Sequence, residues 1–174
     1  MKKLIVILYN IRSTYNVGAI FRTCDGFGID EVVLTGYTPF LDKGLPHEQT
    51  KLQKQIHKTA LGAENTVKWH RVDGIHDAIA ECRSAGYRIV ALEQGRGSLN
   101  LAEPCLDDQD TALILGEEVH GIPPEILDQC DQLLEIPMCG TKESFNVSVA
   151  GGIALWELRK SSLSDKRAHL RTPE

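Results

Sequence analysis

The chain has 174 residues, about the size of one ordinary domain, and 42% of them are hydrophobic while 25% are charged. This composition excludes wholesale disorder. A net charge of −5 removes the simplest argument for nucleic-acid binding, which would be a domain that is basic over its whole surface. A local basic patch stays open.

No targeting or metal signal is evident along the chain. The apolar run Leu4–Leu8 that follows Met-Lys-Lys is shorter than the roughly 7–15 residues of a secretory signal, and no run approaches the roughly 18 residues of a membrane span. The five cysteines are scattered, without a Cys-x-x-Cys pair or a histidine cluster at zinc spacing. We therefore expect a cytoplasmic protein with reduced thiols, no metal and no membrane contact.

Short apolar runs of strand length alternate with segments of helical periodicity. In chain order, the predicted elements are a strand at Leu4–Leu8, a helix capped by Ser13 or Thr14 and stopped by Gly26 and Gly28, strands at Glu31–Thr35 and, more weakly, Val67–Arg71, a helix at Asp73–Ala85, strands at Tyr87–Leu92 and Thr111–Leu115, a helix at Pro123–Cys130, a strand at Gln132–Ile136 and a helix at Asn146–Lys160. This alternation predicts a single-domain α/β fold, a parallel sheet flanked by helices.

The polar stretch from Gly36 to about Asn65 is too long for a simple connection. It is therefore either a functional loop or a segment that contains a short helix.

The first unusual segment is Asn10–Gly28, where Arg22 lies off the apolar stripe of the predicted helix and Gly18 lies one turn before it. A glycine inside a helix costs about 1 kcal/mol relative to alanine, so Gly18 indicates that a backbone or a ligand approaches the helix there. Taken by themselves, Arg22 fits a surface arginine and Asn16 fits a helix cap.

The second segment, Leu113–Pro123, runs from a buried strand into Gly116 and then into the paired acids Glu117 and Glu118. Parallel sheets bind ligands at the carboxyl ends of their strands, where this loop is predicted to lie, and a glycine there lets a cofactor lie against bare backbone. The alternative is a turn with solvated carboxylates. The chain has neither G-x-G-x-x-G after its first strand nor G-x-x-x-x-G-K. The sequence therefore lacks the motifs that would indicate a dinucleotide-binding site or a P-loop.

The third segment, Leu134–Gly152, crowds Ser144, Asn146 and Ser148 around the start of a helix. One cap needs fewer polar groups than this, so some of them are free to hold something else. Gly151-Gly152 inside the helix indicates close approach by another element. An apolar second face, formed by Val149, Ile153 and Trp156, indicates burial in a subunit interface.

The three segments resemble the motifs of the SpoU/TrmH family, part of the SPOUT superfamily of RNA methyltransferases. They read N-x-x-x-x-x-N-V-G-A-I-x-R-T, L-G-E-E-x-x-G-I-P and I-P-M-x-G-x-x-x-S-x-N-V-S-V-A, in the family's order. The resemblance implies S-adenosylmethionine-dependent methylation of a ribose 2′-hydroxyl in tRNA or rRNA, a C-terminal trefoil knot and a homodimer. It makes residues 1–160 the methyltransferase domain and 161–174 a short polar tail. Many relatives carry an added N-terminal RNA-binding domain; without one, target recognition is expected on the catalytic domain itself.

Carried over position by position, the resemblance gives a polar catalytic set and a set of largely backbone contacts to the cofactor. The catalytic set is Arg22, Asn16, Glu118, Ser144 and Asn146, with Arg22 central. The cofactor contacts are Leu92, Gly116, Ile136 and Ser144. Leu92 is placed only by its position at the end of the strand Tyr87–Leu92.

Elementary chemistry narrows the role expected of Arg22. A ribose hydroxyl is a poor nucleophile unless it loses its proton in the transition state, and an arginine side chain is effectively always protonated in proteins. We therefore expect Arg22 to act as a cation beside the hydroxyl and an RNA phosphate, while the phosphate or water takes the proton.

Two other classes of protein remain alternatives. One is a different cofactor-binding α/β enzyme, such as a dehydrogenase, and the other is a catalytically inactive RNA-binding or scaffold member of the same fold. Because the net charge is negative, RNA binding requires positive groups gathered locally. The candidates are Arg12, Arg22, Lys43, Lys51, Lys54, Lys58, Lys166, Arg167 and Arg171.

Overall fold

The structure is a computed structural model that describes residues 2–41, 51–103 and 108–169, the last nine by backbone alone. The described strands are β1 (Leu4–Tyr9), β2 (Glu31–Thr35), β3 (Trp69–Val72), β4 (Arg88–Leu92), β5 (Leu99–Asn100), β6 (Thr111–Leu115) and β7 (Gln132–Glu135). The described helices are α1 (Thr14–Phe27), α2 (Lys51–Ala60), α3 (Ala63–Thr66), α4 (Ile75–Ser84), α5 (Pro124–Leu127) and α6 (Val147–His169).

All seven described strands form one parallel sheet in the order β3-β2-β1-β6-β4-β7-β5. Alternate residues of the central strands point into two apolar clusters, one shared with α1, α2 and α6 and the other with α4 and α5. Helices therefore cover both faces, which is why β1 is an unbroken apolar run and β6 is apolar after Thr111. The predicted parallel sheet flanked by helices is confirmed.

The helix α1 follows its sequence signals with one exception. Ser13, rather than Thr14, is the cap, because its hydroxyl accepts a hydrogen bond from the Asn16 N–H. Gly28 ends the helix in the left-handed region. The prediction that Gly26 also stops the helix is wrong, since Gly26 lies inside it.

Gly18 marks the place where α2 crosses α1. A Cβ atom at residue 18 would lie 2.3 Å from the carbonyl oxygen of Ile56, so the two helix backbones touch only because residue 18 is glycine. The approach of another backbone, one of the two alternatives predicted for Gly18, is confirmed.

The polar stretch after β2 contains α2 and α3, which confirms the short-helix alternative. Lys43 lies outside the described residues. The strand β5 carried no sequence signal, and α5 is shorter than the predicted Pro123–Cys130.

The helix α6 begins within one residue of its predicted start and runs to His169, past the boundary predicted at residue 160. Its Gly151 lies so close to β6 that a Cβ atom there would be 2.8 Å from a methyl carbon of Leu115. Close approach is thus confirmed at Gly151. At Gly152 an added Cβ would make only ordinary contact, 3.9 Å from Thr23.

Arg159 on α6 is fully buried, which sequence reasoning missed. Its guanidinium donates to the carbonyl oxygens of Lys2 (2.6 Å) and Gly28 (2.8 Å) and to the Asp30 carboxylate (2.8 Å). One cation therefore joins α6 to the start of β1 and to the turn after α1.

Among the residues that the structure describes, no helix is both long and apolar enough to cross a membrane.

Candidate active site

The three unusual segments meet at the carboxyl edge of the sheet, as expected for loops that follow parallel strands. The second and third segments line a cavity of about 330 Å³ at the ends of β4, β6 and β7, and the first segment is joined to them through hydrogen bonds of Asn16. Its walls include all four residues predicted to contact the cofactor, Leu92, Gly116, Ile136 and Ser144, together with Glu118. Its apolar lining includes Leu92, Leu115, Leu134, Ile136, Val147 and Ala150.

A chain of hydrogen bonds connects the three segments. Asn16 donates from Nδ2 to Oε1 of Glu118 (2.9 Å), and Nδ2 of Asn146 donates to Oδ1 of Asn16 (3.2 Å). Oδ1 of Asn146 accepts from both the N–H and the hydroxyl of Ser148 (3.0 and 2.7 Å). Both amides are therefore fixed in orientation, and three of the predicted catalytic residues lie together.

Glu118 is occupied by groups of the protein itself. Besides Asn16, its carboxylate accepts the backbone N–H groups of Arg12 (3.1 Å) and Ser13 (3.3 Å). Partial burial raises the pKa of the Glu118 carboxyl, but these hydrogen bonds outweigh burial and hold the pKa below its ordinary value. Glu118 is thus an ionised group that positions Asn16 and the start of α1.

Glu117 lies in a second cluster at the mouth of the cavity. Its carboxylate pairs with the guanidinium of Arg12 (2.6 Å) and lies 3.2 Å from Nδ1 of His120. A hydrogen bond from the Tyr37 hydroxyl, with smaller contributions from His120 and Arg12, holds the pKa of the Glu117 carboxyl below its ordinary value. The sequence suggested no link between Tyr37 and this loop, because 80 residues separate them and no periodicity relates them.

Glu93, which sequence reasoning missed, holds the loop after β6 in place. Its carboxylate accepts the N–H groups of Ile122 and Gln94, both at 3.0 Å. Gly121 has a φ of +66°, and a Cβ atom there would lie 2.4 Å from that carboxylate. At Gly116 a Cβ would lie 2.4 Å from the Ile122 side chain, so the loop's own packing already requires glycine at the strand end.

Ser144 and Arg22 differ in their relation to the cavity. Ser144 lines it, and its hydroxyl makes no hydrogen bond to any described residue, so it is the free member of the three short polar groups. Arg22 is exposed, does not line the cavity and forms no ion pair within the described ranges. Within a single chain, Arg22, the residue predicted to be central to catalysis, therefore does not reach the cavity.

An apolar stripe on α6, formed by Val149, Ile153 and Trp156, is exposed on this chain. Trp156 is 49% exposed and lies against Phe27 of α1 with ring centroids 5.9 Å apart.

The part of the chain that the structure describes contains no group of three or more His, Cys, Asp or Glu side chains arranged to hold a metal ion.

Comparison with known proteins identifies one family. The family described as "SpoU rRNA Methylase family" matches residues 3–156. A tRNA (guanosine(18)-2'-O)-methyltransferase of Aquifex aeolicus is 33% identical over 159 residues, which are 91% of this chain and 70% of that protein. The 23S rRNA (guanosine-2'-O-)-methyltransferase RlmB of Neisseria meningitidis is 32% identical over 90% of this chain and 58% of its own length.

Solved structures agree with this result. The AdoMet-bound rRNA methyltransferase of Sinorhizobium meliloti superimposes with a TM-score of 0.79 at 26% identity, over 91% of this chain and 56% of the other. The chain thus spans little more than half of the Neisseria and Sinorhizobium proteins.

Proposed function

The chain belongs to the SpoU rRNA methylase family, and from that premise we propose that it transfers a methyl group from S-adenosylmethionine to a ribose 2′-hydroxyl of tRNA or rRNA. One observation carries the proposal. The hydrogen-bond chain from Glu118 through Asn16 to Asn146 joins the three family motifs beside a cavity of about 330 Å³. The cytoplasmic location expected from the sequence goes with RNA substrates of this kind.

The cavity suits S-adenosylmethionine in size and lining. Ligand pockets commonly have volumes of about 300–1,000 Å³, with apolar walls and a few polar groups that fix orientation. Leu92, Leu134 and Ile136 provide the apolar walls, and the Ser144 hydroxyl is free to donate or accept a hydrogen bond. When bound, the cofactor supplies an electrophilic methyl group on a sulfonium.

The protein's own contribution is to position the ribose and to stabilise charge. The Asn16 and Asn146 amides are held rigidly. Glu118 accepts one hydrogen bond from Asn16, and the N–H groups of Arg12 and Ser13 hold its carboxylate in place. Preorganised groups of this kind contribute much of the barrier lowering in transfer reactions. Arg22 remains the proposed cation beside the hydroxyl and an RNA phosphate.

We propose that the protein is a homodimer built on the apolar stripe of α6, and this would explain the position of Arg22. Thr23 packs beside Gly152 and Phe27 contacts Trp156, so the helix that carries Arg22 lies along the stripe. Val147 and Ala150, two residues before and one residue after Val149 of the stripe, line the cavity. In such a dimer, Arg22 of one protomer would face the cavity of the other.

We also propose that the chain forms a C-terminal trefoil knot. The path of α6 supports this idea, because after β7 the chain turns back past Leu115 at the end of β6 and packs against α1. Pulling the unfolded chain by its two ends in an optical trap tests it. A knotted chain extends less than an unknotted chain of 174 residues, and full extension would exclude the knot.

The decisive test of the activity uses labelled S-adenosylmethionine and RNA from cells that lack the protein. We expect label in RNA linkages that resist alkali, because a methylated 2′-hydroxyl no longer cleaves the neighbouring phosphodiester. Asn146→Ala should abolish incorporation, whereas Asn65→Ala, an exposed residue of α3, should not. Cofactor binding without methyl transfer to any cellular RNA would instead favour the inactive RNA-binding alternative.

A further inference from the structure

The loop after β2, residues 36–41, presents two exposed aromatic side chains, each next to an arginine. Tyr37 is 51% exposed and has the guanidinium carbon of Arg12 at 5.8 Å from its ring centroid. Phe40 is 37% exposed, and the guanidinium carbon of Arg71 lies 4.4 Å from its ring centroid. We call these four side chains the aromatic platform.

The aromatic platform is fastened to the candidate active site. The Tyr37 N–H donates to Oδ1 of Asn10 (3.2 Å), and the Ile11 N–H donates to the Thr38 hydroxyl (3.0 Å). Arg12 follows directly, and its own N–H donates to Glu118 (3.1 Å). Loop and motif therefore form one hydrogen-bonded unit.

Glycine at residue 36 makes this attachment possible. Gly36 has a φ of +62°, and a Cβ atom there would lie 1.9 Å from Oδ1 of Asn10. The carboxamide that holds Tyr37 thus occupies the space that any other side chain at residue 36 would take. This attachment holds the half-exposed Tyr37 ring beside the site.

The platform also lies at a useful distance from the cavity. The strands β2, β1 and β6 are neighbours in the sheet, so the loop after β2 is two strand spacings, about 10 Å, from Gly116 after β6. The guanidinium of Arg12 spans part of this gap by pairing with Glu117, which lines the cavity. A nucleotide whose ribose lies at the site can therefore have a base over the platform.

Exposed aromatic rings beside arginines match the chemistry of unpaired nucleic-acid bases. Such bases stack on aromatic faces and guanidinium planes, whereas paired bases keep their faces inside the duplex. Resting on the proposed function, we propose that the aromatic platform binds an unpaired base at or beside the target nucleotide, so that the substrate is a looped or single-stranded segment of RNA.

Binding of a fluorescent mixed-sequence RNA strand, alone or annealed to its complement, tests the platform in the presence of S-adenosylhomocysteine. We expect the wild type to prefer the single strand. Tyr37→Ala and Phe40→Ala should each weaken single-strand binding by roughly 5- to 150-fold, the usual loss for one base–aromatic stack. Tyr37→Phe, which keeps the ring and removes only the hydroxyl that contacts Glu117 and Arg12, should lose much less binding than Tyr37→Ala does.

Leu99→Ala, which truncates an exposed apolar side chain at the opposite edge of the sheet, is the matched control and should change nothing. Equal binding of strand and duplex by the wild type, or unchanged binding by both alanine variants, would overturn the proposal. A platform that instead captures a protein partner would show the second of these results.

Kinetics separate this proposal from the activity on which it rests. If the wild type methylates cellular RNA and Phe40→Ala raises KM for RNA with little change in kcat or cofactor affinity, both hold. If the wild type methylates RNA and the alanine variants keep its KM, the platform fails while the activity stands. If the wild type methylates nothing, the activity fails, and the binding assay still decides the platform.

Discussion

Replacing Arg159 by leucine tests the view that a buried cation fastens α6 to the sheet. The change removes two hydrogen bonds that the guanidinium donates to the carbonyl oxygens of Lys2 and Gly28, and a hydrogen bond to a charged group contributes about 1.5–3 kcal/mol. The third partner, Asp30, has a side chain that is 39% exposed, so water replaces much of what it loses.

Two effects reduce the expected loss. The buried Nε of Arg159 has no partner among the described residues, so the native state already carries the cost of one unsatisfied donor. The leucine side chain at this buried position also stabilises the folded protein by burying apolar surface. We expect the free energy of unfolding to fall by about 3 kcal/mol, at the low end of what breaking a buried ion pair usually costs.

Equilibrium urea denaturation at a fixed protein concentration measures this loss, since assembly would make stability depend on concentration. Arg83→Leu is the matched control, because Arg83 is 48% exposed and pairs with Asp131 at the surface. Its loss should stay below about 1 kcal/mol. If both variants lose the same amount, the cation does not fasten the helix.

Three further tests follow from the proposals. Arg22→Ala should reduce methyl transfer more than about tenfold, equal to about 1.4 kcal/mol of barrier, while calorimetry finds cofactor affinity within a few fold; a smaller loss of activity would remove Arg22 from the centre of the mechanism. Trp156→Glu should weaken the dimer in sedimentation experiments because it buries an unpaired charge, and Trp156→Phe should not; a wild type that sediments as a stable monomer at micromolar concentration would refute the interface. Reversing Lys51 and Lys54 on the exposed face of α2 to glutamate should weaken RNA binding and flatten its salt dependence by roughly 0.7–0.9 per lost phosphate contact, unlike Lys3→Glu; equal slopes would show that these lysines only solvate a surface helix.

The sequence predicted the sheet well because buried parallel strands are continuous apolar runs. Glu31–Thr35 and Thr111–Leu115 have their predicted bounds, and the weakest candidate, Val67–Arg71, is the one whose start moved by two residues. The two-residue β5 is too short to carry periodicity. The helix α2 has only three buried side chains among lysines and glutamines, so the polar stretch allowed a loop as readily as a helix.

The sequence indicated which residues lie at the cavity, but it did not reveal the hydrogen bonds among them. Placing motifs at strand ends brings Gly116, Ile136 and Ser144 to one cavity, since parallel strands end at one edge. Whether Glu117 or Glu118 accepts the hydrogen bonds of the protein itself depends on side-chain orientation, and the spacing of residues in the sequence does not reveal orientation. Arg159 was missed because a charged residue within a helix pattern ordinarily faces solvent.

The hydrogen bonds that join the three motifs all run in one direction. The Ser148 hydroxyl donates to Asn146, Asn146 donates to Asn16, and Asn16 donates to the carboxylate of Glu118, so two amide dipoles line up toward one negative charge. Aligned bonds polarise and strengthen one another. The charge at the end of the series persists because the folded protein lowers the pKa of Glu118, and its stabilisation is lost only as the pH falls through that lowered value. The alignment is therefore constant from neutral pH well into the acid range, and any change of activity near neutrality reports a different titrating group or the RNA itself.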